Sequence, residues 1–237
     1  MITTIDERVE EFLDSANIIF ITGEINDEMY RYVVSKLIYY AAESRNPIYL
    51  IINSIGGSVY SAYGIISVMK SIKNEIVGIA NGIVSSAALV LLANCDYRYA
   101  FSGSSFMHHL PSTSVEGTDI DIEHMIEELN IIKNHEFFKN TEKLTPNSID
   151  LTRNVDHAFT LEQAKESGLI QKVIKDFDDI VPEKYAEDIK ASIVQEISTN
   201  ILAVFEEYDD VEMFSEALDL VKYAIAEEKW AAAYGKI

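Results

Sequence analysis

The stretch from Ile76 to Cys95 reads IVGIANGIVSSAALVLLANC, and none of its 20 residues is charged. Length alone would let it cross a bilayer as one helix. Its interruptions argue otherwise. Gly78, Asn81, Gly82, Ser85, Ser86 and Asn94 break the apolar run, and the acids Glu75 and Asp96 flank it where a membrane span favours bases. The expected reading is a buried strand over Glu75–Ala80, a turn, and a short buried helix over Ser85–Asn94. This strand-to-helix unit belongs to an α/β protein, whose ligands bind in loops that follow strands.

The same alternation extends on both sides. Asn17–Thr22 (NIIFIT) and Pro47–Asn53 (PIYLIIN) read as further apolar strands. Asn26–Glu43 and Ser58–Ile72 carry apolar residues at helical spacing, the first with Asn26 or Asp27 available as a cap. Near-continuously apolar strands separated by helices predict strands covered on both faces and joined by crossover helices. Downstream, Tyr97–Phe101 and Ser105–His109 are short candidate strands. Asp119–Asn140 is expected as one long acidic helix with Ile122, Met125, Ile126, Leu129 and Ile132 on a stripe. Leu161–Ser167 follows as a short helix and Leu169–Ile174 as a closing strand. Near Asp176 the composition changes, so residues 1–176 are expected as the α/β domain and 177–237 as an acidic helical extension. Within the latter, Tyr185, Ile189, Ile193, Ile197, Ile201 and Phe205 recur every four residues, and a second helix is expected over Val211–Trp230.

The whole chain has 237 residues, with 39 acids against 19 Lys and Arg, for a formal charge of −20. The extension is disproportionately acidic, holding 13 of the acids and 5 of the bases beyond residue 179. Such a surface repels a phosphate backbone, which excludes nonspecific nucleic-acid binding. The lone Cys95 cannot form an internal disulfide and suits a reducing compartment. The opening MITTIDERVEEFLDS has acids where an export signal has bases, so a cytoplasmic protein without a membrane anchor is expected.

Three segments follow strands and could carry chemistry. Asn53-Ser54-Ile55-Gly56-Gly57-Ser58 offers paired glycines at a helix start, where N–H groups are exposed; no GK[ST] follows, so it is not a phosphate loop. Gly82-Ile83-Val84-Ser85-Ser86-Ala87 places two serines at the turn into a hydrophobic helix. A nucleophilic serine needs such a turn, a partner base and N–H donors for the developing oxyanion, and the residues alone leave Ser85 and Ser86 open. Ser105-Phe106-Met107-His108-His109-Leu110-Pro111 carries two histidines, of which strand alternation lets at most one face a given site. His124 and His135 lie too far apart on a solvated helix to complete a ligand set. Neither a metal nor an organic cofactor is expected.

Taken in order, these fragments resemble the ClpP family of self-compartmentalising serine peptidases. Asn53-Ser54-Ile55-Gly56-Gly57 is similar to the family's NSPGG, and GIVSSAALVLLA (Gly82–Ala93) to its GxAASMGAxLLAA. FMHHLP (Phe106–Pro111) is similar to IMIHQP, and VDHAFTLEQAKESGLI (Val155–Ile170) to RDxFMSAxEAxEYGLID. The resemblance spans about Ile18 to Ile174. It implies the nucleophile at Ser86, the general base at His109, the orienting acid at Asp156, and oxyanion-hole N–H groups at Gly57 and Ala87. It also implies the ClpP/crotonase-like fold of repeated β-β-α units, with Asp119–Asn140 as the handle helix and Ser112–Gly117 as the substrate-holding handle strand. The implied assembly is a homo-oligomeric ring, a heptamer or double heptamer, that acts on unfolded or extended polypeptides fed by an AAA+ ATPase.

Departures from the family pattern are specific. Ile55 stands in place of the motif's proline, and Val155 in place of the arginine before the acid, a residue that joins ring-to-ring contacts. Ser112–Gly117 lacks the handle strand's run of glycines. Only about sixteen residues precede the first strand, which is short for the loop that couples to an AAA+ ATPase. The extension has no family counterpart; ClpP-like prohead maturation proteases of phages are one setting for such an appendage. Two other functions fit a related fold: a crotonase-type acyl-CoA enzyme, which also uses paired N–H groups, and a catalytically unproductive ring-forming subunit. Neither requires Ser86, His109 and Asp156 together.

Overall fold

Runs of β-branched residues that leave no polar face must pair on both edges and pack on at least one side. In the computed structural model, which describes residues 13–112, 116–153, 155–175 and 177–180, three such runs form adjacent parallel strands: β1 (Ile18–Ile25), β2 (Ile48–Gly57) and β3 (Ile76–Ser85). β4 (Tyr97–Phe101) and β7 (Lys172–Ile174) continue the parallel sheet in the order β1-β2-β3-β4-β7. β3 is long enough to serve two partners. Its residues Val77–Ala80 pair with β4, and Ile83–Ser85 pair with β5 (Ser105–His108), which pairs antiparallel with β6 (His157–Phe159). This fork is what brings the end of β5 beside the end of β3.

One sheet face is sealed by α1 (Asp27–Glu43), α2 (Val59–Ser71) and α3 (Ala87–Ala93), over a core of residues such as Ile19, Ile21, Leu50, Ile52, Ile65 and Leu91 that are closed to solvent. Burying each such side chain is worth about 1.5–3 kcal/mol. The helix starts follow from the sequence: Asn26 Oδ1 accepts from the N–H groups of Glu28 and Met29, and Ser58 Oγ from that of Ser61. Each cap contributes about 1 kcal/mol. Every residue of α3 is buried, so the uncharged stretch is a strand and a core helix. Among the described residues no helix is long and apolar enough to cross a membrane.

Several expectations need correction. The expected turn after Ala80 is strand, because pairing with β5 carries β3 on to Ser85. The sheet is not covered on both faces throughout. Tyr49, Val77, Ile79, Tyr99, Ile174 and Ile180 cluster on the second face, but near its β1–β2 edge Phe20 and Ile55 are exposed. The long helix is two, α4 (Asp119–Asn134) and α5 (Glu136–Leu144), broken at His135, whose ψ of 142° is extended. His135 Nδ1 accepts from Phe137 N–H as the new cap, and Tyr63 Oη donates to the carbonyl of Ile132 (2.8 Å) at the end of α4. Of the expected stripe only Ile132 is buried, while Ile122 and Ile126 are exposed. The closing strand shrinks to Lys172–Ile174, and α6 (Leu161–Glu166) precedes it. Beyond the short turn at Phe177–Ile180, the expected helices of the extension lie outside the described residues, as does the centre of the Ser112–Gly117 segment.

Candidate active site

The Asn53-Ser54-Ile55-Gly56-Gly57 segment is the end of β2, and each polar residue in it has a local task. Register against β3 shifts between Ile52 and Ser54, and Asn53 Oδ1 meets the break by accepting from Ile83 N–H. Ser54 Oγ donates to Gly23 O (2.6 Å) and accepts from Gly56 N–H (3.1 Å), tying β1 to the turn. Gly56 has φ 94°, and a Cβ there would lie 2.7 Å from both Ser85 O and Ser86 Cβ. Only glycine lets this loop approach the β3–α3 junction so closely.

That junction is a sharp elbow. Ser86, between the end of β3 and the start of α3, has φ 53° and ψ −124°, a conformation L-residues rarely adopt and that costs about 1–3 kcal/mol. It is held by Ser86 N–H donating to Met107 O (3.0 Å), and by Leu89 and Val90 N–H donating to Ser86 O. Ser85 is buried, with no partner for its hydroxyl among the described residues, whereas Ser86 lines the cleft. Ser86 Oγ lies 2.6 Å from His109 Nε2, and His109 Nδ1 lies 3.2 Å from Asp156 Oδ1. The fold therefore gathers three of the expected residues from the β3–α3 elbow, the end of β5 and the segment before β6.

The remaining two lie alongside. Ala87 opens α3, so helix geometry leaves its N–H without an intrahelical acceptor. Ser58 N–H donates to Ile25 O (2.7 Å), and Gly57, just before it, lines the same cleft as Ser86. The cleft is a cavity of about 540 Å³ lined by these residues and by apolar side chains including Val90, Leu129, Ile132 and Phe138. Tyr60 Oη donates to Glu128 Oε1 (2.6 Å), joining two residues of its lining.

Strand alternation separates the two histidines less cleanly than the sequence suggests. His109 lies just past the end of β5 and its side chain is about a quarter exposed; His108 turns inward to 1% exposure, and yet both line the cavity. Burial, with smaller contributions from His109 and His157, pushes the His108 imidazole down to about 4. Among the described residues neither of its nitrogens has a partner, at a cost of about 1–3 kcal/mol for a buried polar group. Cys95 is also buried, its thiol pushed up to about 12 chiefly by desolvation, and it makes no approach to the cleft. Sequence reasoning missed His108 as part of the cavity wall, and it missed Asn53 and Ser54 as the braces of the loop. The signal for the former was present: a polar residue stands where the compared motif is aliphatic.

Comparison with known proteins bears on this geometry. The family model described as Clp protease matches residues 4–177. The ATP-dependent Clp protease proteolytic subunit 3 of Rhodococcus jostii is 32% identical over 176 residues, covering 72% of this chain and 87% of that protein. The subunit 3 of Streptomyces coelicolor is 29% identical, covering 76% and 85%, and the subunit 2 of Pseudomonas aeruginosa is 29% identical, covering 72% and 87%. The family match takes in every residue of the cleft and ends at residue 177. The chain belongs to the Clp protease family and is a serine peptidase of that type.

Proposed function

We propose that the chain is an endopeptidase in which Ser86, His109 and Asp156 act as a triad on extended polypeptides. The observation that carries this reading is the 2.6 Å approach of Ser86 Oγ to His109 Nε2 at a positive-φ turn facing a cavity. His109 Nε2 takes the hydroxyl proton as Oγ attacks the peptide carbonyl carbon. The oxyanion is held by the N–H groups of Gly57 and Ala87, and Asp156 accepts from Nδ1–H, fixing the tautomer and balancing the imidazolium. The imidazolium then gives its proton to the departing amine. Water, deprotonated by the same nitrogen, releases the acyl group.

The family match supports a working form that is a homo-oligomeric ring in the cytoplasm. The exposed Ile120, Ile122, Ile126 and Ile131 of α4 are side chains that such an assembly would cover. The relatives' names carry both "ATP-dependent" and "proteolytic subunit", and an AAA+ ATPase is the corresponding partner proposed for this chain. An alkyl fluorophosphonate tests the triad. Stoichiometric labelling that disappears in Ser86→Ala and persists in Ser85→Ala is expected, with oligomeric state measured on the same samples by light scattering. Labelling of assembled Ser86→Ala protein would overturn the assignment of the nucleophile.

A further inference from the structure

The wall of the cleft changes character along α4. Ile132 is buried, Leu129 is half-buried and Glu128 is exposed, and all three line the cavity. Glu128 stands four residues before Ile132, on the same helix face and one turn of about 5.4 Å away. The wall therefore runs from an apolar floor, which Val90 and Phe138 complete, to a carboxylate open to solvent.

That carboxylate is held in place from across the cleft. Tyr60 Oη, in the first turn of α2, donates to Glu128 Oε1 (2.6 Å), and the hydrogen bond raises the phenol above the ordinary tyrosine range. Among the described residues Glu128 Oε2 has no hydrogen-bond or ion-pair partner. No Lys or Arg lines the cavity among them, and its other carboxylate, Glu24, adds to the negative field. The imidazolium of His109 protonates the departing amine, so the leaving side of the bond lies against His109 and the acyl-side side chain takes the rest of the cleft. Building on the peptidase reading of Ser86, we propose that Glu128 is a specificity-determining residue, selecting an acyl-side residue with an aliphatic stem and a cationic end, lysine or arginine.

Such a side chain matches the wall along its length. Its methylenes cover Val90, Leu129 and Ile132 while its charged end stays at the wet mouth. There an N–H donor makes a charge-assisted bond to the free oxygen of a carboxylate already fixed by Tyr60. Because Glu128 is exposed, the pair forms without the desolvation penalty of a buried ion pair. Norleucine offers nearly the same stem but nothing for the carboxylate, and glutamate brings a like charge toward both acids.

Matched fluorogenic peptide amides with lysine, norleucine or glutamate on the acyl side provide the test, read as ratios of kcat/KM within each variant. The wild-type protein is expected to favour lysine over norleucine about fivefold, the scale of an ion pair at the wet edge of a site. Glu128→Gln, which keeps an acceptor for Tyr60, should bring that ratio close to one, and Glu128→Lys should favour glutamate over lysine. Glu127→Gln removes the same formal charge from an exposed position outside the cavity lining and should leave the ratio unchanged. A wild-type protein without lysine preference overturns the proposal. So does an equal loss in Glu127→Gln and Glu128→Gln, which would assign the preference to the overall charge. Fluorophosphonate labelling of Ser86 with no discrimination among the peptides overturns the subsite alone. Absence of both labelling and cleavage takes down the peptidase reading and the subsite with it.

Discussion

The two ends of the His109 imidazole sit in different physical settings. At the Nε2 end, Ser86 is clamped by β5, by the first turn of α3 and by the Gly56 loop, and its neighbours Ser85, Ala87 and Ala88 are buried. At the Nδ1 end, Asp156 is 73% exposed and lies in an irregular segment next to the exposed Val155. A strained nucleophile turn persists only where surrounding structure over-determines it. A carboxylate in water, by contrast, is screened and its orientation is loosely held. The chain by itself thus holds the Ser86 end firmly and the Asp156 end weakly, and in the proposed triad an assembly that covered Asp156 would strengthen the second without altering the first.

This contrast can be broken most severely at the nucleophile. Ser86→Ala should lower peptidase kcat by about 10⁴-fold or more, checked by single-turnover assay, while thermal unfolding stays near the wild-type midpoint because no packing is lost. Next comes the loop beneath it. Gly56→Ala places a methyl 2.7 Å from Ser85 O and Ser86 Cβ at φ 94°. It should cost about 2–4 kcal/mol in urea unfolding and displace the Gly57 N–H, cutting activity about 100-fold. Normal activity and stability in Gly56→Ala would refute the over-determined elbow.

A third probe uses the buried histidine behind the rigid end. The folded protein holds His108 neutral down to about 4, whereas the unfolded chain protonates near 6.5. Between those values the unfolded state binds the extra proton, so stability falls as pH is lowered from about 6.5 toward 4. The loss amounts to about 3 kcal/mol, and His108→Leu should abolish that part of the pH dependence in urea midpoints. The smallest effect is expected at the exposed end: Asp156→Asn should reduce kcat only about 10- to 100-fold, less than for a fully buried acid. In dilute, dissociated protomers the Asp156→Asn loss should shrink further. A 10⁴-fold loss there would show that the acid end is as firmly built as the nucleophile end.

The legibility of the site in the sequence follows the same division. Strands β1 and β2 and helices α1 to α3 could be read because apolar periodicity and the caps Asn26 and Ser58 act locally. The continuation of β3 through Asn81 and Gly82 could not, since those residues read as a turn and the strand resumes beyond them only through pairing of Ile83–Ser85 with β5 and of Val84 with β2. The three-residue β6 has no pattern of its own and exists through its antiparallel partner. The break at His135 was hidden because histidine is an uncommon cap, and the α4 carbonyl it leaves behind is met by Tyr63, 69 positions away in sequence.

By itself, then, the sequence determined the α/β alternation, the burial of Ile76–Cys95 and the motif order that points to Ser86, His109 and Asp156, because these depend on side-chain chemistry and local spacing. Only the tertiary structure decided that Ser85 faces the core and Ser86 the cleft, that His109 reaches the serine while His108 enters the cavity wall unpartnered, and that Asp156 stands in solvent. Periodicity gives the parity of a strand but not which face meets the core. Distances between residues 23 and 47 positions apart are set by how strands fork and pair, and no local pattern encodes that.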